Sequence, residues 1–140
     1  MKAPFARSGF TLFELLVSIS IIGILIALGT VSFTTAQRSG RDSRRRSDVM
    51  GVRNALEQYY ARNTAYPEVC TAAELVDVLP NGVPADPKTG DVAYGYDLNC
   101  SADAYCICAL LEREGTGNST VSDCTNFESN GDYFCAQSLQ

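Results

Sequence analysis

The chain changes its hydrophobic pattern three times. From Leu15 to Val31 it is apolar except for Ser18, Ser20, Thr30 and the glycines Gly23 and Gly29. That run is about long enough to cross a bilayer's hydrocarbon core as a helix. From residue 37 to 63 the apolar positions thin to a stripe, Val49, Val52, Leu56 and Tyr59, recurring at steps of three and four. Such spacing predicts a helix with one buried face, and Gly40 and Gly51 are tolerated within it. Asn63, Thr64 and Tyr66-Pro67 stop it, because a residue preceding proline avoids helical angles. Thr71 to Leu79 then reads as a short helix, with Thr71 as N-cap and Glu74 three residues later. Pro80, Asn81-Gly82, Pro84 and Pro87 mark a loop.

Beyond residue 92 the period shortens to two. Ala93 to Leu98 reads as one strand and Ala104 to Glu112 as a second. In the second, Tyr105, Ile107, Ala109 and Leu111 share one face, and Cys106, Cys108 and Leu110 the other. Gly115 to Asn118 is expected as a turn, Asn130-Gly131 carries a hairpin signal, and Tyr133 to Gln137 is the expected last strand. The pattern predicts an α+β fold: a long N-terminal α-helix, half anchor and half amphipathic, packed on a small antiparallel β-sheet head. The divisions expected are a leader over 1–9, a transmembrane helix over 10–36, an amphipathic half over 37–63, and a head over 64–140. Within the head, 64–92 is connecting chain and 93–137 is sheet.

A head of fewer than 80 residues buries a limited core and calls for added restraint. Cys70, Cys100, Cys106, Cys108, Cys124 and Cys135 all follow the anchor, a distribution that suggests disulfides formed in an oxidising compartment. Six cysteines allow fifteen pairings, and sequence does not choose among them. Cys106 and Cys108 share a strand face and are expected to seek different partners. The pairing guessed is Cys106 and Cys108 with Cys124 and Cys135 in either order, and Cys70 with Cys100. The C-x-C pair has neither a C-x-x-C companion nor a histidine, so disulfides are favoured over zinc.

Charge is unevenly placed. Residues 38–62 hold seven arginines against Asp42, Asp48 and Glu57, whereas residues 63–140 hold Lys88 and Arg113 against twelve acids. Basic residues flank the apolar run on both sides, so charge alone leaves its orientation open. The arginine helix of one subunit is expected beside the acidic head of another. The chain contains no histidine, which excludes Ser-His-Asp and Cys-His catalysis. No glycine-rich phosphate loop follows a strand. No enzymatic activity is expected, and nucleic acid is not expected as a partner.

One ionised group, Glu14, stands at the start of the apolar run. A carboxylate carried deep into lipid costs about 3 kcal/mol, and such groups usually have a partner. Lys2 and Arg7 precede the run, and the small Gly9 sits at the border. An A-x-A cleavage site does not follow the apolar core, unlike in an ordinary secretory signal. The cut expected is therefore upstream, after Gly9, leaving the helix on the mature chain.

The residues Gly9-Phe10-Thr11-Leu12-Phe13-Glu14-Leu15-Leu16 resemble the class III leader and N-terminus of type IV pilins and type II secretion pseudopilins. Ala55-Leu56-Glu57-Gln58-Tyr59-Tyr60, Asn63 and Tyr66-Pro67 are similar to the helix end of major pseudopilins, and Asp86-Pro87 with Tyr94 and Tyr96 to their loop and first strand. The resemblance implies a prepilin peptidase that cuts after Gly9 and methylates Phe10. It implies that Glu14 meets the N-terminal amine of Phe10 on a neighbouring subunit. It also implies an inner-membrane anchor with the head outside the cytoplasm, an assembly platform, and a homo-oligomeric filament in the periplasm or outside the cell. Family members often carry a proline in the anchor, where the helix can melt. This chain has none between Pro4 and Pro67, so Gly23 to Thr30 is either the melting segment or a close-packing surface.

The function implied is a structural subunit of a type IV pilus-like filament. The alternatives are a type II secretion pseudopilin, a competence pilin for DNA uptake, and a monomeric membrane-anchored binding module. Major pseudopilins bind calcium near the C-terminus. Here Asp123, Glu128 and Asp132, with Asn126 and Asn130, offer oxygens, but the spacing matches no defined loop, so an acidic turn is favoured and no cofactor is expected.

Overall fold

A computed structural model describes residues 9–71, 75–88 and 94–140. The chain divides into two compact units, residues 1–36 and 37–140. The helix α1 (Leu12–Asn63) supplies the first unit and the opening of the second, and it is helical throughout, including Gly23 to Thr30.

In the first unit α1 leaves its large apolar side chains exposed, among them Leu15, Leu16, Ile19, Ile22, Leu25, Ile26 and Leu28. The run is long and apolar enough to cross a membrane. Its hydroxyls are turned onto the helix's own backbone: Ser18 Oγ donates to the Glu14 carbonyl at 2.7 Å, Ser20 Oγ to Leu16 at 2.9 Å, and Thr30 Oγ1 to Ala27 at 2.9 Å. That arrangement suits a segment with no water to satisfy polar groups.

In the second unit the stripe on α1 becomes the core. Val49, Val52 and Leu56 are buried against Tyr105, Ile107, Ala109 and Ala136 of the sheet and against Tyr66, Leu75 and Val78 of the connecting chain. Tyr59 is partly buried at its edge. Each fully buried aliphatic side chain contributes about 2 kcal/mol. Beyond Asn63 the chain turns at Thr64, whose φ of 59° is left-handed and whose N–H donates to the Tyr60 carbonyl at 2.7 Å. This is a helix C-cap made without glycine. Tyr66 N–H then donates to Ala102 at 2.9 Å, tying the connecting chain to the head.

The short helix expected over Thr71 to Leu79 is reduced, among the described residues, to a 3-10 turn at Leu75–Asp77. Leu75 N–H donates to the Thr71 carbonyl at 3.0 Å and Leu79 N–H to Leu75 at 2.6 Å. Glu74, the proposed partner of the cap, lies outside the described residues, as does Ala93 at the expected start of the first strand.

Five strands form one antiparallel sheet: β1 (Tyr96–Cys100), β2 (Tyr105–Leu110), β3 (Gly117–Ser119), β4 (Phe127–Gly131) and β5 (Tyr133–Gln137). Their order is β1-β2-β5-β3-β4. Tyr96 faces Ala109, Cys108 faces Cys135, and Ser119 faces both Tyr133 and Phe127. Two expectations are corrected here. Residues 117–118 belong to a strand rather than a turn, and Asn130-Gly131 ends β4 instead of turning a hairpin. The strands β3 and β4 were not visible as alternation because neither presents a regular apolar face. What their pairing needs instead is glycine. A Cβ on Gly117 would lie 2.0 Å from the Tyr133 carbonyl oxygen, and one on Gly131 the same distance from that of Ser119.

Candidate assembly site

Gly9 and Phe10 lead into a capped helix start. Gly9 and Phe10 stand outside the helix, and Phe10 is 84 % exposed. Thr11 is the N-cap. Its Oγ1 accepts the Glu14 N–H at 3.2 Å, and its carbonyl accepts the Leu15 N–H at 3.2 Å. Glu14 therefore occupies the third helical position, where an acid also favours the positive end of the helix dipole. Among the described residues no ion pair includes Glu14. The cap is a feature that sequence reading missed. The signal was present as Thr11-x-x-Glu14 ahead of an apolar run.

Three arginines of α1, Arg41, Arg45 and Arg46, meet carboxylates or carbonyls of the same chain. Arg45 is fully buried. It holds Asp86 through two bonds of 2.6 and 2.8 Å, Asp42 at 3.0 Å and Glu112 at 3.1 Å. Its guanidinium lies 4.4 Å from the centre of the Tyr94 ring. Arg41 binds Glu112 with two bonds of 2.6 Å, and Arg46 donates to the Thr116 carbonyl. Asp42 accepts the N–H groups of Glu112 at 2.8 Å and Arg113 at 3.2 Å. The basic segment thus pairs with acids of its own head, joining helix, the Asp86 loop and the end of β2. Arg45 is one of the seven arginines between residues 38 and 62. It turns inward because three carboxylates and a ring replace the water it gives up.

The electrostatics follow from these contacts. The bonds from Arg41, opposed by burial and reinforced by Arg45, hold the Glu112 carboxyl down to about 2. The Arg45 fork likewise depresses Asp86. Burial disfavours the Arg45 charge, yet Asp86 and Glu112 outweigh it and raise its pKa.

A second junction is built on Glu57, one turn from Arg53. Its carboxylate accepts Tyr105 Oη at 2.8 Å, Tyr66 Oη at 3.1 Å and the Leu139 N–H at 3.2 Å. Burial and then the Glu57 charge push the Tyr66 hydroxyl up to about 12, and they raise Tyr105 as well. Tyr96 donates to Asp48 at 2.7 Å in the same manner.

The six cysteines form three disulfides: Cys70–Cys100, Cys106–Cys124 and Cys108–Cys135. The first ties the connecting chain to β1, and the other two tie β2 to the loop before β4 and to β5. The oxygen donors considered for calcium are employed separately. Asp123 accepts the N–H and hydroxyl of Thr125 at 3.0 and 2.6 Å, Asp132 accepts the Gly115 N–H at 2.8 Å, and Glu128 lies exposed on β4. Among the described residues these three acids do not form a ligand cluster.

Residues 5–30 match the family described as the prokaryotic N-terminal methylation motif. The chain is 34 % identical over 82 residues to the type II secretion system core protein G of Aeromonas hydrophila, covering 59 % of this chain and 55 % of that one. It is 33 % identical over 82 residues to the protein of the same name from Pseudomonas aeruginosa, covering 59 % and 57 %. Against the Vibrio cholerae protein of that name it is 28 % identical over 91 residues, covering 64 % and 62 %. The match spans somewhat more than half the length of these relatives. With the methylation motif over residues 5–30, a long helix over a small antiparallel sheet, and these similarities, the chain resembles the type IV pilins and pseudopilins.

Proposed function

We propose that the chain is a structural, non-enzymatic subunit of a pilin-like filament, held in the inner membrane by residues 10–36 until assembly. Residues 1–9 are a leader removed by a prepilin peptidase after Gly9, and Phe10 becomes the methylated N-terminus. Residues 37–63 form the amphipathic half of the helix, and residues 64–140 form a head outside the cytoplasm. The observation that carries this reading is the placement of Glu14 on the first turn of α1, its N–H bonded to Thr11 Oγ1, four residues after an exposed Phe10. In a filament Glu14 exchanges a costly place in lipid for a charge-assisted bond to the Phe10 amine of a neighbour. An assembly platform in the membrane is the partner that extracts the subunit. Calcium is not required by this reading.

The test is Glu14→Ala. Membrane insertion should be retained, because the apolar run is untouched, and filament yield should fall. Wild-type yield from the variant sinks the role given to Glu14. The companion measurement is the mass of the purified mature chain, which should begin at methylated Phe10. A chain starting at Met1 overturns the processing step.

A second reading, a pseudopilin serving type II secretion, is favoured by the names of the relatives. Deletion would then abolish exoprotein release without removing long surface fibres. The DNA-uptake reading loses two of its arginines, since Arg41 and Arg45 are engaged by carboxylates of the same chain, while Arg38, Arg44 and Arg62 remain exposed.

A further inference from the structure

The disulfides Cys106–Cys124 and Cys108–Cys135 lie against each other on one side of the sheet. Sulfurs of different disulfides approach closely: Cys108 Sγ is 3.7 Å from Cys106 Sγ and 3.8 Å from Cys124 Sγ. These separations have a chemical meaning. A tetrahedral zinc site with Zn–S bonds of 2.3 Å has sulfur–sulfur edges of about 3.8 Å. Two edges of such a tetrahedron are therefore already present between unbonded sulfurs. Cys106, Cys108 and Cys124 lie together within 4.8 Å, and Cys135 is joined to Cys108.

The scaffold around them is fixed from three sides. Cys106 and Cys108 are two residues apart on β2, so their side chains share a face. Cys135 is on the paired strand β5, directly opposite Cys108. Cys124 takes a left-handed φ of 56° in its loop, and its sulfur lies 3.6 Å from the Ala136 carbonyl oxygen. Cys108 and Cys135 are buried, whereas Cys106 and Cys124 are half-buried and give access from solvent.

We propose that these four sulfurs form a latent site for a thiophilic divalent ion, Zn2+ or Cd2+, that opens when the two disulfides are reduced. A phosphine reductant breaks each S–S bond, passes two electrons to the sulfurs, takes oxygen from water and leaves its oxide with two thiols. Metal capture then forms four metal–sulfur bonds and releases four protons. The sheet and the Cys124 loop keep the thiols within reach, and Cys70 and Cys100 belong to a separate bridge. This inference is independent of filament assembly.

The experiment uses the full chain in detergent, reduced anaerobically with a phosphine and titrated with Cd2+ alone. Thiolate-to-cadmium charge-transfer absorption should saturate at one ion per chain, and the oxidised chain should give none. Iodoacetamide footprinting with peptide mapping should then find Cys106, Cys108, Cys124 and Cys135 protected while Cys70 and Cys100 are alkylated. Cys70→Ser/Cys100→Ser should keep the stoichiometry, and Cys106→Ser/Cys124→Ser should weaken binding at least tenfold. Protection spread evenly over all six cysteines would mean metal on an unfolded chain and overturns the proposal. So does the absence of saturable absorption, or equal affinity in the two double variants.

Discussion

Replacing Arg45 with methionine tests the internal ion network directly. The change keeps the length and apolar stem of the side chain and removes the guanidinium. Asp42 and Asp86, with side chains 1 % and 7 % exposed, lose their bonds to it, while Glu112 keeps Arg41. Breaking a buried pair by removing one partner costs about 3–5 kcal/mol, since a charge is stranded. Domains of this size have about 5–15 kcal/mol in total, so the loss is a large share. The chain has seven tyrosines and no tryptophan, so urea unfolding of the full chain in detergent can be followed by tyrosine fluorescence. The pH dependence sharpens the test. In the wild type Asp86 and Glu112 have folded pKa values below their ordinary ones. Their contribution is complete above the ordinary carboxylate range and disappears as pH falls toward the folded values, about 2 for Glu112. The Arg45→Met penalty should therefore shrink on acidification, as Asp86 becomes neutral and no longer needs a counter-ion. A penalty below about 1 kcal/mol at neutral pH, typical of exposed pairs, would falsify the account of Arg45 as the centre of the head. A penalty that stays constant down to the acid limit would assign the effect to packing alone.

Further outcomes are expected from other residues. Glu57→Gln should lower the Tyr66 pKa from about 12 toward the ordinary value, seen as earlier phenolate absorption in alkaline titration, and an unmoved titration curve counts against the Glu57 charge as a cause. Gly131→Ala should destabilise the head by about 2 kcal/mol or more, because the new methyl meets the Ser119 carbonyl, and an unchanged urea midpoint would show that β3 and β4 part easily. Chelation of divalent ions should leave the melting temperature unchanged, because Asp123 and Asp132 already serve backbone groups; a clear drop would restore a calcium site.

How much of this was legible depended on the kind of signal. Val49, Val52 and Leu56 betray the helix's buried face by spacing, and Tyr105, Ile107 and Ala109 betray the inner face of β2 by alternation. The resemblance around Gly9 to Leu16 pointed to the N-terminal methylation motif because it joins a border glycine, an acid and an apolar run. Arg45 was not legible. An arginine among arginines reads as solvated, and its burial depends on Asp86 and Glu112, which are 41 and 67 residues away. The strands β3 and β4 were hidden for a related reason: they are held by backbone pairing at glycines, with no side-chain period to read. Thr11 was legible and overlooked, since its capping role lay inside a motif read for its processing.

The disulfides of β2 are interleaved, with Cys108 lying between Cys106 and its partner Cys124, while Cys135 comes last. A head delivered N-terminus first exposes its thiols to an oxidant in sequence. Joining neighbours as they emerge would give Cys70–Cys100 correctly but then couple Cys106 to Cys108 and Cys124 to Cys135. The native pattern also needs β5, the final strand in the chain yet the middle one in the sheet. Oxidation must therefore wait for the last strand to be present, or be followed by an isomerase that reshuffles the early bonds.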